Sequence, residues 1–257
     1  MKEMTTIMDM LMDGSEGDSA IPVGHPAPFP PKIIDAIRPM LHRLVDTRLT
    51  GTKLLDPFVG IGRVSNLGLP WEYHGVEIEP EWACQAKAKR ISVQEGDSRD
   101  ISWPDETFGV ICTSPAYGNR FADSYAPDLS DLKHGKRTSY RIYLGRDLSE
   151  GNGGALHWGP EYRDLHTAVW KECVRVLKPG GIVILNCKDH SRKSELQPVT
   201  AWHVQTLVDL GLEPIEAKPI SLKGNQNTVT TRKRGIRVVD HEWVIALRKP
   251  LSPIDRE

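Results

Sequence analysis

The 257-residue chain contains no apolar run long enough to span a bilayer, and its first twenty residues mix methionine with Glu3, Asp9, Asp13, Glu16 and Asp18. A membrane helix needs about 20 consecutive apolar residues and a secretory signal needs a basic start before an apolar core, so neither is expected. Cysteine is scarce as well. Cys84, Cys112, Cys173 and Cys187 lie far apart and form no Cys-x-x-Cys pair, which argues against zinc-ribbon or disulfide-scaffold chemistry. They read as reduced core thiols of a cytoplasmic protein with no metal site. An excess of one charge is also missing, because 33 Lys and Arg face 34 Asp and Glu. A polyanionic partner would have to be met by local basic patches. No internal repeat is present.

What the chain does have is ordinary globular composition, 39% hydrophobic and 26% charged, enough for one α/β domain with a sizeable core. Residues 1–24 read as a Met-rich, acidic leader. The prolines from Pro26 to Pro31 force an extended path, after which Ile33, Ile34, Ile37, Leu41, Leu44 and Val45 recur at helical spacing. From Thr52 onward short apolar runs alternate with helical stretches, the pattern of βα units building a parallel sheet. The runs predict strands at 53–56, 73–78, 91–94, 109–113, 181–187, 214–220 and 241–248, with helices over 162–177 and 199–210. The last two strands have no helix between them and should pair as an antiparallel hairpin. Residues 118–160 lack periodicity and form an insertion within a single domain spanning 25–250; 251–257 is a tail. A structureless stretch of that length inside a compact domain is usually functional or disordered.

The first predicted strand ends in Leu55-Asp56-Pro57-Phe58-Val59-Gly60-Ile61-Gly62, a carboxylate followed by a glycine-rich turn that should lead into a helix. In a doubly wound sheet such a turn lies at the carboxyl edge, where ligands bind, and Gly60 and Gly62 would let the backbone approach a ligand closely. No Gly-Lys-Ser/Thr follows, and Ser65 stands where the dinucleotide fingerprint has its third glycine, so a phosphate loop is excluded and a dehydrogenase is disfavoured. Glu77 closes the second strand beside Ile78, and Asp97 with Ser98 follows the third. Three carboxylates at successive strand ends suit a ligand with an ammonium, a ribose and an adenine amine, which describes S-adenosylmethionine better than a dinucleotide.

The fourth strand ends in Thr113-Ser114-Pro115-Ala116-Tyr117-Gly118. Here the sequence resembles the S-adenosylmethionine-dependent amino-methyltransferases of DNA, whose fourth strand ends in Asp/Asn/Ser-Pro-Pro-Tyr/Phe. The turn from Asp56 to Gly62 resembles that family's cofactor motif, and His25-Pro26-Ala27-Pro28-Phe29-Pro30 resembles the segment used against the methionine end of the cofactor. The resemblance covers residues 25–249 in the unpermuted motif order. It implies a Rossmann-like class I methyltransferase fold, α/β with a seven-stranded, mostly parallel sheet and a closing antiparallel hairpin. It assigns the cofactor to His25, Pro26, Phe29, Asp56, Pro57, Phe58, Gly60, Gly62, Glu77, Ile78, Asp97, Ser98 and Ser114, and catalysis to Ser114, Pro115 and Tyr117. Serine at the first motif position is associated with cytosine N4, and Asp or Asn with adenine N6. Ala116 replaces the family's second proline, which removes a ring that would stiffen the loop.

The chemistry fits those residue types. The lone pair of a cytosine or adenine amine is delocalised into the ring, and acceptors such as Ser114 Oγ and the Pro115 carbonyl would draw its hydrogens out of plane. Tyr117 would stack on a base rotated out of the duplex. For the DNA itself, Lys223, Arg232, Lys233, Arg234 and Arg237 lie between 221 and 237 with no acid among them, and Asn225 could read a base edge. In the insertion Arg120, Lys136, Arg137, Arg141 and Arg146 interleave with aromatics such as Tyr140 and Tyr143, which fits either a target-recognition loop or a packed lid. With no separate recognition domain, a short target sequence or help from a second subunit, as in a homodimer, is expected. Methylation of an RNA base amine and a cofactor-binding protein without turnover remain the alternatives.

Overall fold

The structure, a computed structural model, describes residues 29–118, 140, 144, 146–192, 195–221 and 239–251. Strands β1 (Lys53–Asp56), β2 (Glu72–Glu77), β3 (Ser92–Glu95), β4 (Phe108–Thr113) and β5 (Leu177–Cys187) run parallel. Two short strands, β6 (His190–Arg192) and β7 (Glu195–Gln197), pair with each other in a separate two-stranded sheet. Strands β8 (Glu213–Ser221) and β9 (His241–Arg248) form the antiparallel hairpin, with β9 also antiparallel to β5. Among the described residues the main sheet has seven strands in the order β3-β2-β1-β4-β5-β9-β8.

Helices α1 (Pro31–Leu44) and α2 (Pro80–Ala88) cover one face of the sheet, and α3 (Pro160–Val176) and α4 (Val199–Asp209) cover the other. The two faces follow from strand alternation. Leu54, Val110, Ile182 and Ile184 pack with α1, while Leu55, Ile111, Val183 and Leu185 pack with α3 and α4. All of β4 is buried, as a central parallel strand covered on both faces should be. The outer strand β8 is mostly exposed and carries Pro214 and Pro219, residues tolerated at a sheet edge because they donate no ladder hydrogen bond.

Two expectations change in detail. The turn after β1 leads into a short 3-10 segment, Arg63–Leu67, in place of an α-helix, because Gly62 (φ 78°) and Gly68 (φ 62°) bracket it in the left-handed region. The fifth strand begins at Leu177 and not at the expected 181, so Lys178-Pro179-Gly180-Gly181 after α3 belongs to β5, where the register against β4 shifts between Phe108 and Val110. Of the cysteines, Cys112, Cys173 and Cys187 are free and buried as expected, whereas Cys84 is exposed on α2.

Candidate active site

Strand β1 lies between β2 and β4, so chain order reverses at β1, and the strands there part at their carboxyl ends to leave a crevice. A cavity of about 370 Å³ fills it, lined by Asp56 and Glu77 on one side and by Ser114, Pro115 and Tyr117 on the other. That volume lies in the range of small-molecule sites.

The β1–β3 wall is acidic. Asp56 is 2% exposed and accepts from Thr113 Oγ1 at 2.6 Å and from the Phe58 N–H at 3.0 Å, which ties the ends of β1 and β4 together. Burial pushes its carboxyl up to about 7 despite those two donors. Glu77 accepts from the Gly60 N–H at 2.8 Å and from the Glu79 N–H at 2.9 Å, and burial likewise raises it to about 7, with Glu79 and Asp56 adding repulsion. Asp97 behaves differently. Burial opposes its ionisation, but the Arg99 guanidinium and backbone N–H outweigh this and hold its carboxyl below the usual range. Ser98 Oγ donates to the Pro57 carbonyl, linking the turn after β3 to the turn after β1.

The opposite wall offers neutral acceptors. Ser114 Oγ lies 2.9 Å from Tyr117 Oη. Desolvation, and next the Glu242 carboxylate, keep the Tyr117 phenol well above its ordinary range, so it stays protonated. From α3, Leu165, His166 and Val169 face the cavity. His166 Nδ1 donates to the Tyr162 carbonyl at 2.8 Å, and burial lowers the imidazole to about 4, so it is neutral. Its Nε2 is therefore a bare acceptor, fully buried, with no partner among the described residues. Asn186 on β5 donates through Nδ2 to Glu242 Oε2 and to the Trp243 carbonyl, each at 3.2 Å, and Asn186, Lys188 and Glu242 complete this side.

Part of the insertion lies over the cavity. Glu79, fully buried at the start of α2, accepts from the Ser149 N–H (2.8 Å) and Oγ (2.9 Å), from Asn152 Nδ2 (2.7 Å) and from Arg146 Nη2 (2.8 Å). Arg146 also grips Glu81 with Nε at 2.9 Å. The strap so anchored passes close to both walls: a Cβ at Gly151 would stand 3.0 Å from Asp97 Oδ2, and one at Gly153 would stand 3.3 Å from His166 Cε1. Tyr140, 7% exposed, packs against Trp82 at 5.4 Å between ring centroids and lines the same space. Arg146 is thus committed to Glu79 and Glu81, and Tyr140 and residues 151–154 of the insertion line the cavity.

No protein-family model and no curated protein matches the chain. Solved structures do. One is an S-adenosylmethionine-dependent methyltransferase from Methanosarcina mazei, 14% identical with a TM-score of 0.51, over 83% of this chain and 98% of that one. A second, from Leishmania major, is 14% identical with a TM-score of 0.50, over 84% of this chain and 72% of the other. The fold is that of the class I methyltransferases. The cyclase SpnF is also similar, at 13% identity and a TM-score of 0.50 over 85% of this chain and 82% of its own. A class I fold therefore leaves the reaction to be argued from the site.

Within this class I framework the anticipated cofactor and catalytic residues that are described converge, Gly62 excepted. Phe29, Pro57, Phe58, Gly60, Ile78 and Ser98 line the cavity together with Asp56, Glu77, Asp97 and the Ser114–Tyr117 segment. Gly62 does not line it. A Cβ there would lie 2.6 Å from Ile91 Cδ1 and 3.1 Å from Ala86 Cα, so its missing side chain serves packing of the turn against α2 and against Ile91 just before β3. His25, Pro26, Arg120, Lys136, Arg137, Arg141, Lys223, Asn225, Arg232, Lys233, Arg234 and Arg237 lie outside the described residues. The sequence reading missed Glu79, His166, Asn152, Asn186 and Glu242. An acid directly before Pro80 resembles an ordinary helix start, and His166 sits in an apolar helical stripe where a histidine passes for core.

Proposed function

We propose that this chain transfers a methyl group from S-adenosylmethionine to the exocyclic amine of a DNA base, cytosine N4 ahead of adenine N6. The observation that carries the reading is that Asp56 and Ser114, from motifs 58 residues apart, line one cavity.

The residues present fit the cofactor on three counts. The acidic wall suits a ligand of positive charge, the cavity has small-molecule size, and the bare Nε2 of His166 is an orphaned buried acceptor that a ligand N–H would satisfy. Asp56 and Phe29 would face the methionine end, Glu77 the ribose hydroxyls, and Ile78, Asp97 and Ser98 the adenine. When bound, S-adenosylmethionine supplies a methyl group on a positively charged sulfur, an electrophile that a neutral amine can attack.

Ser114 Oγ and the Pro115 carbonyl accept the two amine hydrogens, which turns the nitrogen lone pair out of conjugation with the ring. Tyr117, through its bond to Ser114, orients the hydroxyl while its ring offers a stacking face to the base. No charged base is required, because the nitrogen becomes strongly acidic once methylated and its proton leaves through the same acceptors. Phosphate contacts fall to the five cations between 221 and 237, a stretch without a single acid.

Mass spectrometry of nucleosides from DNA and RNA of cells expressing the chain tests this directly. N4-methylcytosine in the DNA is expected, and its level should fall with Ser114→Ala. Methylated base in the RNA alone, or in neither, rejects the DNA reading.

A further inference from the structure

Beneath the Ser114–Tyr117 segment three buried side chains on two helices form a line of hydrogen bonds. Trp170 Nε1 donates to His203 Nδ1 at 2.9 Å, His203 Nε2 lies 2.9 Å from Tyr162 Oη, and the Tyr162 hydroxyl meets the Ala116 carbonyl. Each proton can be assigned. An indole N–H only donates, so His203 Nδ1 carries no hydrogen and the neutral ring holds its proton on Nε2. That N–H donates to Tyr162 Oη, which leaves the phenolic hydrogen for the Ala116 carbonyl, a group that can only accept. Burial keeps His203 well below the ordinary imidazole range and Tyr162 well above the ordinary phenol range, so the pattern is stable across neutral pH. All three side chains are fully buried.

The loop above is held at two carbonyls. Tyr162 fixes the one at Ala116, and the Trp158 N–H fixes the one at Gly118 at 2.9 Å. Pro115 restricts its own φ by its ring. Between that ring and the fixed Ala116 carbonyl only the ψ of Pro115 and the φ and ψ of Ala116 remain adjustable, and these torsions set the direction of the Pro115 carbonyl.

We propose that Tyr162, backed by His203 and Trp170, is a positioning residue of the reaction: its hydroxyl holds the Ala116 peptide, and so keeps the Pro115 carbonyl aimed at the substrate amine. A hydrogen bond from the neighbouring helix does here what a second proline ring would do within the loop. The role in turnover rests on the amino-methyltransferase reading, whereas the positioning itself does not.

A mere packing role for Tyr162, which also stacks on His166 at 4.0 Å between centroids, would survive removal of the hydroxyl. The test is therefore Tyr162→Phe in the full chain, with and without Ala116→Pro. Expected for Tyr162→Phe is a single-turnover methyl transfer to duplex DNA slowed by roughly 10- to 100-fold, the order reached when a reacting group is misplaced by about 1 Å. Cofactor affinity should change by less than about twofold, the cost falling on the transfer step because the cofactor is held by other groups. Ala116→Pro should restore most of the rate in the Tyr162→Phe background.

A second readout needs no substrate. Amide hydrogen exchange at Tyr117, the N–H of the held peptide, should quicken in Tyr162→Phe, and nitrogen NMR should find His203 protonated on Nε2 in the parent chain. Unchanged exchange together with an unchanged rate overturns the proposal. Quickened exchange in a chain that methylates no DNA leaves the positioning standing and rejects the DNA reading alone. Should Ala116→Pro fail to fold, the rate and exchange of Tyr162→Phe decide the matter by themselves.

Discussion

The wall built by β1 to β3 presents carboxylates, Asp56, Glu77 and Asp97, whereas the facing wall of β4 and α3 presents a hydroxyl, backbone carbonyls and a neutral imidazole. A charge attracts an opposite charge over several ångströms and from many directions, so the acidic wall needs its groups at the right strand ends and little more. A neutral acceptor acts only along its lone pairs. The second wall accordingly rests on deeper support, with Tyr162, His203 and Trp170 below the loop and Tyr117 beside Ser114. Under the proposed function the first wall binds and the second acts, and the following changes should separate the two.

Asp56→Ala should have the largest effect. It removes the buried carboxylate that would face the cationic end of the ligand, and losing one partner of such a pair costs about 3 kcal/mol or more, which implies cofactor affinity weakened by at least ~100-fold. Calorimetric titration of S-adenosylmethionine reads this, and a loss below tenfold would break the division between the walls. Ser114→Ala belongs to the other class: single-turnover transfer should slow by roughly one to three decades, the cost of a preorganised polar group, while affinity holds. Normal turnover would remove Ser114 from the mechanism.

The third effect is a pH dependence. Asp56 and Glu77 stand at about 7 in the free protein because burial favours their protonated forms. A cationic ligand favours the ionised forms, so below about pH 7 binding must release protons. Affinity should then fall as pH drops, by up to about tenfold per unit for each group titrating, and level off on the alkaline side. A flat profile from pH ~5.5 to ~8.5 would detach these carboxyls from binding.

His166→Phe should do least. Losing an acceptor bonded by a ligand N–H costs about 1 kcal/mol, or roughly fivefold in affinity. The thermal midpoint of the free protein should hold or rise, since an unpaired buried nitrogen is removed. Unchanged affinity would take His166 out of the ligand site.

How much of this could be read beforehand differs between the walls. Asp56 and Glu77 were legible because each ends a strand whose last residues are buried, and a polar residue there signals the carboxyl edge of a sheet; Asp97 was legible because it follows the next strand at the same edge. Ser114 and Tyr117 were legible from the strand-end motif. His166 and His203 were not, because both sit on apolar helical faces where periodicity speaks only of burial. Glu79 was hidden by its place before Pro80, and its donors come from Arg146, Ser149 and Asn152, some 70 residues later. Gly62 was misjudged: its glycine is required by Ile91 and Ala86, a packing constraint no local pattern reveals.

Local chemistry by itself determined the sheet, its alternation of helices and the two motifs at the strand ends, since strand periodicity, turn glycines and helix stops act over a few residues. Which neutral groups gather around the Ser114 loop, and which way each hydrogen points, was decided only when α3 and α4 packed on the sheet. Hydrogen-bond direction depends on distances of a few ångströms between residues far apart in the chain, and a linear order holds no record of them.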